Sequence, residues 1–347
     1  MLEKDKLPKF CVFCGNKPSK KTKEHIIPKW LIKLTGDPKR EINLGVNTQV
    51  LRKEKKFEQR KFSFQSFQFP ACEICNNKYA KLEGEVKPIV EKILSNDFTD
   101  SSEINKLLDW FDKVRTGLWL GSLLLDSEIA PINPKFFINQ RIASKDRGLF
   151  IYELNDDWEG VQFVGFNSPA FQFSPSCFSL TINNHYFFNF SYEFLFSKEL
   201  GFPYAVNTAY QQEDVRVLSD LKKGSENIGK KPIKIPLKKA SIEIYQPIFS
   251  EKLGEIKDSD KMYSTDFVKE NCFDYKNGLG SIFYRDLNKI KVLDSISELQ
   301  LSDSSIKYDR NKFENIIAKQ VMTFQSYLFT KIPSTKNLDD ESKTNMD

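Results

Sequence analysis

Two Cys-x-x-Cys pairs, Cys11/Cys14 and Cys72/Cys75, limit what the first quarter of this 347-residue chain can fold into. Four thiolates are the set that a closed tetrahedral zinc site requires, and a two-residue spacer turns each backbone so that both sulfurs face one point. Gly15 after the first pair and Asn76-Asn77 after the second suit tight turns. A site closed by four sulfurs leaves no coordination position for water, so this zinc is expected to hold the fold and not to catalyse. The Lys-rich loops around it carry little core of their own, a shortage that a bound metal offsets. The other two cysteines, Cys177 and Cys272, are solitary and read as inert core thiols.

Charge is unevenly spread. Residues 1–100 carry 21 Lys and Arg against 13 Asp and Glu, a balance of +8, whereas the remainder carries 31 against 34, a balance of −3. A basic N-terminal unit on a nearly neutral body points to a polyanion bound at that end. The first residues are charged and lack an apolar segment, which predicts no secretory signal and a reducing, cytoplasmic setting. The longest apolar stretch, residues 117–125, is roughly half of the ~20 residues needed to span a bilayer and reads as a buried helix. No membrane partner is expected.

The hydrophobic pattern divides the chain into a unit over 1–98, a larger body over 99–333 and a polar, disordered tail over 334–347. Within the first unit, residues 61–69 alternate apolar and polar with a phase slip at Gln65-Ser66, which reads as strand, bulge, strand leading to the second cysteine pair. Tyr79, Leu82, Val86, Ile89 and Ile93 then recur at helical spacing, with Pro88 predicting a kink or a second short helix. A long helix is expected over 102–125, capped by Asp100 or Ser102. Short strands rich in Phe, Tyr, Val and Ile follow from 135 to 215, among them 148–152, 161–165 and 186–190. Residues 220–239 read as a Lys- and Gly-rich loop, and a last amphipathic helix falls near 311–330. The fold class is therefore α+β.

Between the cysteine pairs lies Thr22-Lys23-Glu24-His25-Ile26-Ile27-Pro28, and Asn76 directly follows Cys75. This arrangement resembles the HNH (His-Me finger, ββα-metal) endonucleases, in their zinc-stabilised four-cysteine variety, over roughly residues 9–94. The resemblance implies a ββα-metal module in which His25 is the general base, Glu24 a metal ligand and Asn76 the ligand from the helix. It matches the family's loop-buttressing asparagine to Asn43, or less well to Asn47. Glutamate stands at 24 where the family more often has aspartate. Asn77 competes with Asn76, and Glu83, two helical turns on, is a reserve ligand or an orienting group. The long span from His25 to the second cysteine pair predicts an inserted hairpin over 48–70.

The chemistry fits those residue types. Phosphodiester hydrolysis needs a deprotonated water, and an imidazole titrating near neutrality suits that task. A carboxylate with an amide oxygen suits a hard cation, Mg²⁺ or Mn²⁺, on the scissile phosphate. Adjacent strand residues point to opposite faces, so Glu24 and His25 require a bend to converge. The expected function is a metal-dependent endonuclease acting on DNA, with RNA left open, of an antiphage or restriction type. The alternatives are a non-catalytic zinc-dependent nucleic-acid-binding protein, or an effector switched on by a protein partner at the C-terminal body. That body shows no motif of its own. Its lysines 222, 223, 230, 231, 234, 238 and 239 lie on a solvated loop or along a phosphate backbone. His185, with no acidic or thiol neighbour in sequence, reads as structural.

Overall fold

The computed structural model describes residues 10–18, 20–36, 41–46, 53–54, 59–63, 68–125, 138, 146–211, 215–226, 232–249, 252, 280–294, 299–300 and 306–331. Its first elements are β1 (Lys21–His25), α1 (Lys29–Leu34), β2 (Glu41–Val46), β3 (Gln59–Ser63), β4 (Gln68–Cys72) and α2 (Glu73–Leu94). Strand β1 pairs antiparallel with β4, and β2 with β3. The alternating stretch over 61–69 is thus not one bulged strand: Phe62 pairs with Ile42, whereas Phe69 pairs with Glu24. The hairpin begins at 41, earlier than the expected 48, and 68–72 leaves it to bring the second cysteine pair back to the first. Helix α2 runs unbroken through Pro88. That proline is exposed, while Val86, Ile89, Val90 and Ile93 on the other face anchor the helix to the core.

The chain continues through β5 (Phe98–Thr99), α3 (Ser101–Leu125), β6 (Asp146–Leu154), β7 (Val161–Val164), α4 (Pro169–Phe173), β8 (Cys177–Ile182), β9 (His185–Tyr192), β10 (Tyr204–Gln211) and β11 (Val215–Lys222). It ends with β12 (Ile242–Gln246), β13 (Ile282–Asp286), β14 (Lys289–Leu293), β15 (Leu299–Gln300), β16 (Lys307–Tyr308) and α5 (Arg310–Phe329). Asp100 caps α3 by accepting from the backbone N–H groups of Ser102, at 2.8 Å, and Glu103, at 2.9 Å. Part of the expected 220–239 loop is strand, since β11 reaches Lys222. Lys230, Lys231, Cys272 and the tail over 334–347 lie outside the described residues.

An eight-stranded sheet organises the body, in the order β14-β13-β12-β6-β9-β8-β7, with β16 added parallel to β6. It is covered on both faces. Leu149, Ile151, Phe178, Leu180, Phe187 and Ile244 point to α3, and the same cluster takes in Phe13, Ile26, Leu31, Tyr79 and Val90 of the first unit. Phe150, Tyr152, Phe188, Phe190 and Tyr245 point the other way, to Phe313, Ile317, Val321 and Phe324 of α5. Two-sided burial explains why these strands read as nearly continuous aromatic and aliphatic runs, even though their pairing is antiparallel. The fold is α+β, and α3 lies between the N-terminal unit and the sheet. Among the described residues no helix is long and apolar enough to cross a membrane.

His185 is buried at the start of β9 and its Nδ1 lies 2.9 Å from Asn184 Oδ1. Burial, reinforced by Lys307 and opposed by Glu153, lowers its pKa from 6.5 to about 4. The unfolded chain therefore takes up a proton near pH 6.5 that the folded chain refuses until about pH 4. Stability attributable to this residue is complete above pH 6.5 and falls as pH drops toward 4, by about 3 kcal/mol. The expected outcome is a falling urea midpoint across that interval, made shallower in His185→Gln. Identical slopes in the two proteins would contradict it.

Candidate metal centre and active strand

The four cysteines converge. Their Sγ atoms all lie within 4.8 Å of one another, with Cys11 and Cys75 buried and Cys14 and Cys72 half-buried. Local structure explains the approach. Gly15, with φ of 76°, closes the first turn, and its N–H donates to the Cys11 carbonyl at 2.8 Å. The Val12 N–H donates to the Pro70 carbonyl at 3.0 Å, which ties this knuckle to β4. Cys72 caps α2 through its sulfur, which accepts from the Cys75 N–H. The Phe13 ring stacks on Tyr79 with centroids 4.1 Å apart, fastening the knuckle to α2 as well.

Crowding four ionisable sulfurs has an electrostatic consequence. Burial pushes the Cys75 thiol well above its usual range, and the neighbouring sulfurs add to it; Cys14 is raised mainly by burial too. Burial also opposes ionisation of Cys72, but the N–H of Cys75 and the other thiols outweigh it and bring Cys72 down. A divalent cation among the four sulfurs reverses this cost by stabilising the thiolates. The donor set and its closeness fit a structural zinc ion.

Alongside the cluster, the β1–β4 register sets Glu24 opposite Phe69 and His25 opposite Gln68. The two neighbours diverge as strand geometry requires, the bend coming only afterwards at Ile26-Ile27. His25 is half-buried, with its Nε2 2.8 Å from Gln68 Nε2. In this orientation the amide donates to an unprotonated Nε2 and leaves the imidazole proton on Nδ1; a half-turn of the amide presents Oε1 and reverses the tautomer. Glu24 turns inward and is buried. Its Oε1 accepts from Lys113 Nζ of α3 at 2.8 Å. The same ammonium donates to the His25 carbonyl at 3.2 Å and to Glu83 of α2. Burial pushes Glu83 up to about 7, Lys113 opposing and Glu24 adding to the rise.

No family model, curated protein or solved structure matches this chain. The site therefore rests on its own geometry. That geometry separates the two candidate asparagines: Asn77 is exposed, whereas Asn76 Oδ1 is buried and has no hydrogen-bond partner among the described residues. Asn76 and Glu83 are seven residues apart on α2, about 10 Å of helical rise. Glu24 is thus seen with Lys113 and Glu83 rather than with Asn76. Asn43 lies on β2 opposite Lys61, its side chain outside the described residues, as is Asn47 altogether. Cys177 is fully buried, and burial holds its thiol far above the usual range, as an inert core thiol should be.

Sequence reasoning missed Lys113 and Gln68. Lys113 stands in a run of α3, Asp112 to Thr116, whose charged residues look solvated in the sequence but are all buried. That density of charge inside an otherwise apolar helix was the available signal. For Gln68 there was none, because its partner follows from the strand register alone.

Elemental analysis of the purified protein is expected to return one zinc ion per chain. Cys75→Ser is expected to lose the metal and to melt at a lower temperature, as is the intact protein treated with a strong chelator. Metal-free wild-type protein with an unchanged melting temperature would contradict the assignment.

Proposed function

We propose that this protein is a metal-dependent endonuclease that hydrolyses phosphodiester bonds in DNA, with His25 as general base. The observation that carries the reading is the buried, unpartnered Asn76 Oδ1 in the first turn of α2, on the helix that the cysteine cluster joins to the strand bearing His25. Asn76 Oδ1 is one of twelve buried side-chain polar atoms without a partner among the described residues, and it is the one that directly follows a cysteine of the cluster.

In this reading Asn76 Oδ1 is a ligand for Mg²⁺ or Mn²⁺, and Glu24, which the structure pairs with Lys113, joins it when the cation draws its carboxylate from that pair. Such a cation, when bound, neutralises charge on the scissile phosphate and on the departing oxygen. With the Gln68 amide turned so that its Oε1 accepts from the His25 Nε2–H, the unprotonated Nδ1 of His25 accepts a proton from the attacking water, and Gln68 keeps the ring oriented. The water oxygen forms the new bond to phosphorus, the phosphorus–oxygen ester bond breaks, and the leaving alkoxide takes up a proton. The exposed lysines of the same unit, including Lys17, Lys23, Lys29 and Lys81, suit a nucleic-acid backbone. The setting proposed is antiphage or restriction-type defence in the cytoplasm.

A second reading draws on the ammonium that already neutralises Glu24: a zinc-stabilised nucleic-acid-binding module without chemistry, or one requiring a protein partner. Plasmid cleavage separates the readings. The expected result is nicking or linearisation with Mg²⁺ or Mn²⁺, abolished by EDTA and reduced about 100-fold or more in His25→Ala. Cleavage that His25→Ala leaves intact overturns the assignment, and DNA binding without any cleavage supports the second reading.

A further inference from the structure

We propose that α3 is the plate on which His25 is set, with Lys113 and Gly117 as its positioning residues. The proposal deepens the nuclease reading and rests on it for the role of His25; the contacts themselves do not.

Three successive residues, the last two of β1 and Ile26 just after it, are gripped by one face of α3. Lys113 Nζ holds the Glu24 carboxylate at 2.8 Å and the His25 carbonyl at 3.2 Å. That carbonyl is the last of β1 before the chain bends at Ile26-Ile27. One helical turn later, a methyl group built on Gly117 would lie 3.1 Å from Ile26 Cγ1 and 3.2 Å from both Cδ1 and Cγ2. Residues four apart share a helix face, so Lys113 and Gly117 act on the strand together. Trp110, three residues before Lys113, meets Trp30 of α1 with ring centroids 6.0 Å apart and extends the same contact beyond the bend.

The charge at 113 is more than packing requires. An apolar chain of similar length would fill the volume without the cost of removing an ammonium and two carboxylates from water. What the ammonium adds is direction. It has three donors, and Glu24, Glu83 and the His25 carbonyl take one each. The main chain at His25 is thereby fixed to a helix anchored in the sheet, and a displaced base of about 1 Å is enough to cost roughly 100-fold in rate. The unit over 1–98 is on this view incomplete without α3.

The chain contains two histidines, which makes the test direct. The full-length protein, ¹⁵N-labelled at histidine, is compared as wild type, Lys113→Met and Gly117→Ala. His185, buried at the start of β9 beside Asn184, reports whether the body is folded, and zinc content reports on the cysteine cluster. Both variants are expected to keep full zinc and unmoved His185 signals while the His25 imidazole signals shift. Adding Ile26→Val to Gly117→Ala is expected to return them toward wild type. In the cleavage assay kcat falls about tenfold or more while KM for DNA stays within about twofold. Folded variants with unmoved His25 signals overturn the proposal, as does unchanged kcat while His25→Ala is inactive. If Lys113→Met does not fold, Gly117→Ala decides. Failure of the nuclease reading is seen separately, as wild-type cleavage no greater than that of His25→Ala.

Discussion

A helix buried on all sides over residues 110–121 and studded with charge there holds the two parts of this molecule together. On α3, Asp112, Lys113 and Arg115 are each at most 1% exposed. Arg115 is bonded to Asp112, to Asn189 of β9 and to the Pro175 carbonyl. Asp112 also meets Arg147 of β6, which in turn reaches Asp109, Asn105 and Gln246 of β12. These bonds fix the helix against the sheet, and Lys113, on the same helix, fixes β1 against the helix. Apolar contact alone would let a cylinder slide or turn at little cost; directed pairs set rotation and translation. Breaking one such buried pair leaves a stranded charge, typically at about 3–5 kcal/mol.

The cysteine cluster does the complementary task at the other end. It joins the 11–14 knuckle to the start of α2 just where β4 finishes, so the cysteine cluster, β1 and the first turn of α2 form one unit. Asn76 follows the last sulfur ligand directly and inherits that placement. His25 is located twice, by β4 through Gln68 and by α3 through its own carbonyl. The structure divides the labour between a cluster that builds the frame and a helix that aligns the strand within it.

What was legible in the sequence was local. The Cys-x-x-Cys spacing, the helical period over 102–125 and the Phe-rich strands depend on residues close in the chain, and each proved readable. Strand partners were not. The alternation over 61–69 gave the elements but concealed that 59–63 pairs with 41–46 while 68–72 pairs with 21–25, since apolar periodicity carries no address. Lys113 and Glu24 are 89 residues apart, and nothing near either names the other. The bend expected to bring Glu24 and His25 to one point falls after both, so Glu24 turns to the interior. Pro88 was expected to disturb a helix that buried neighbours on the opposite face keep intact.

We propose that His25 and Asn76 serve one divalent cation. Mn²⁺ titrated into the zinc-loaded protein, with the two imidazoles observed by NMR, tests it most directly. Paramagnetic broadening of the His25 signals, absent at His185 and lost in Asn76→Ala, is the expected result. His25 signals that stay sharp at saturating Mn²⁺, or that broaden equally in Asn76→Ala, would contradict it.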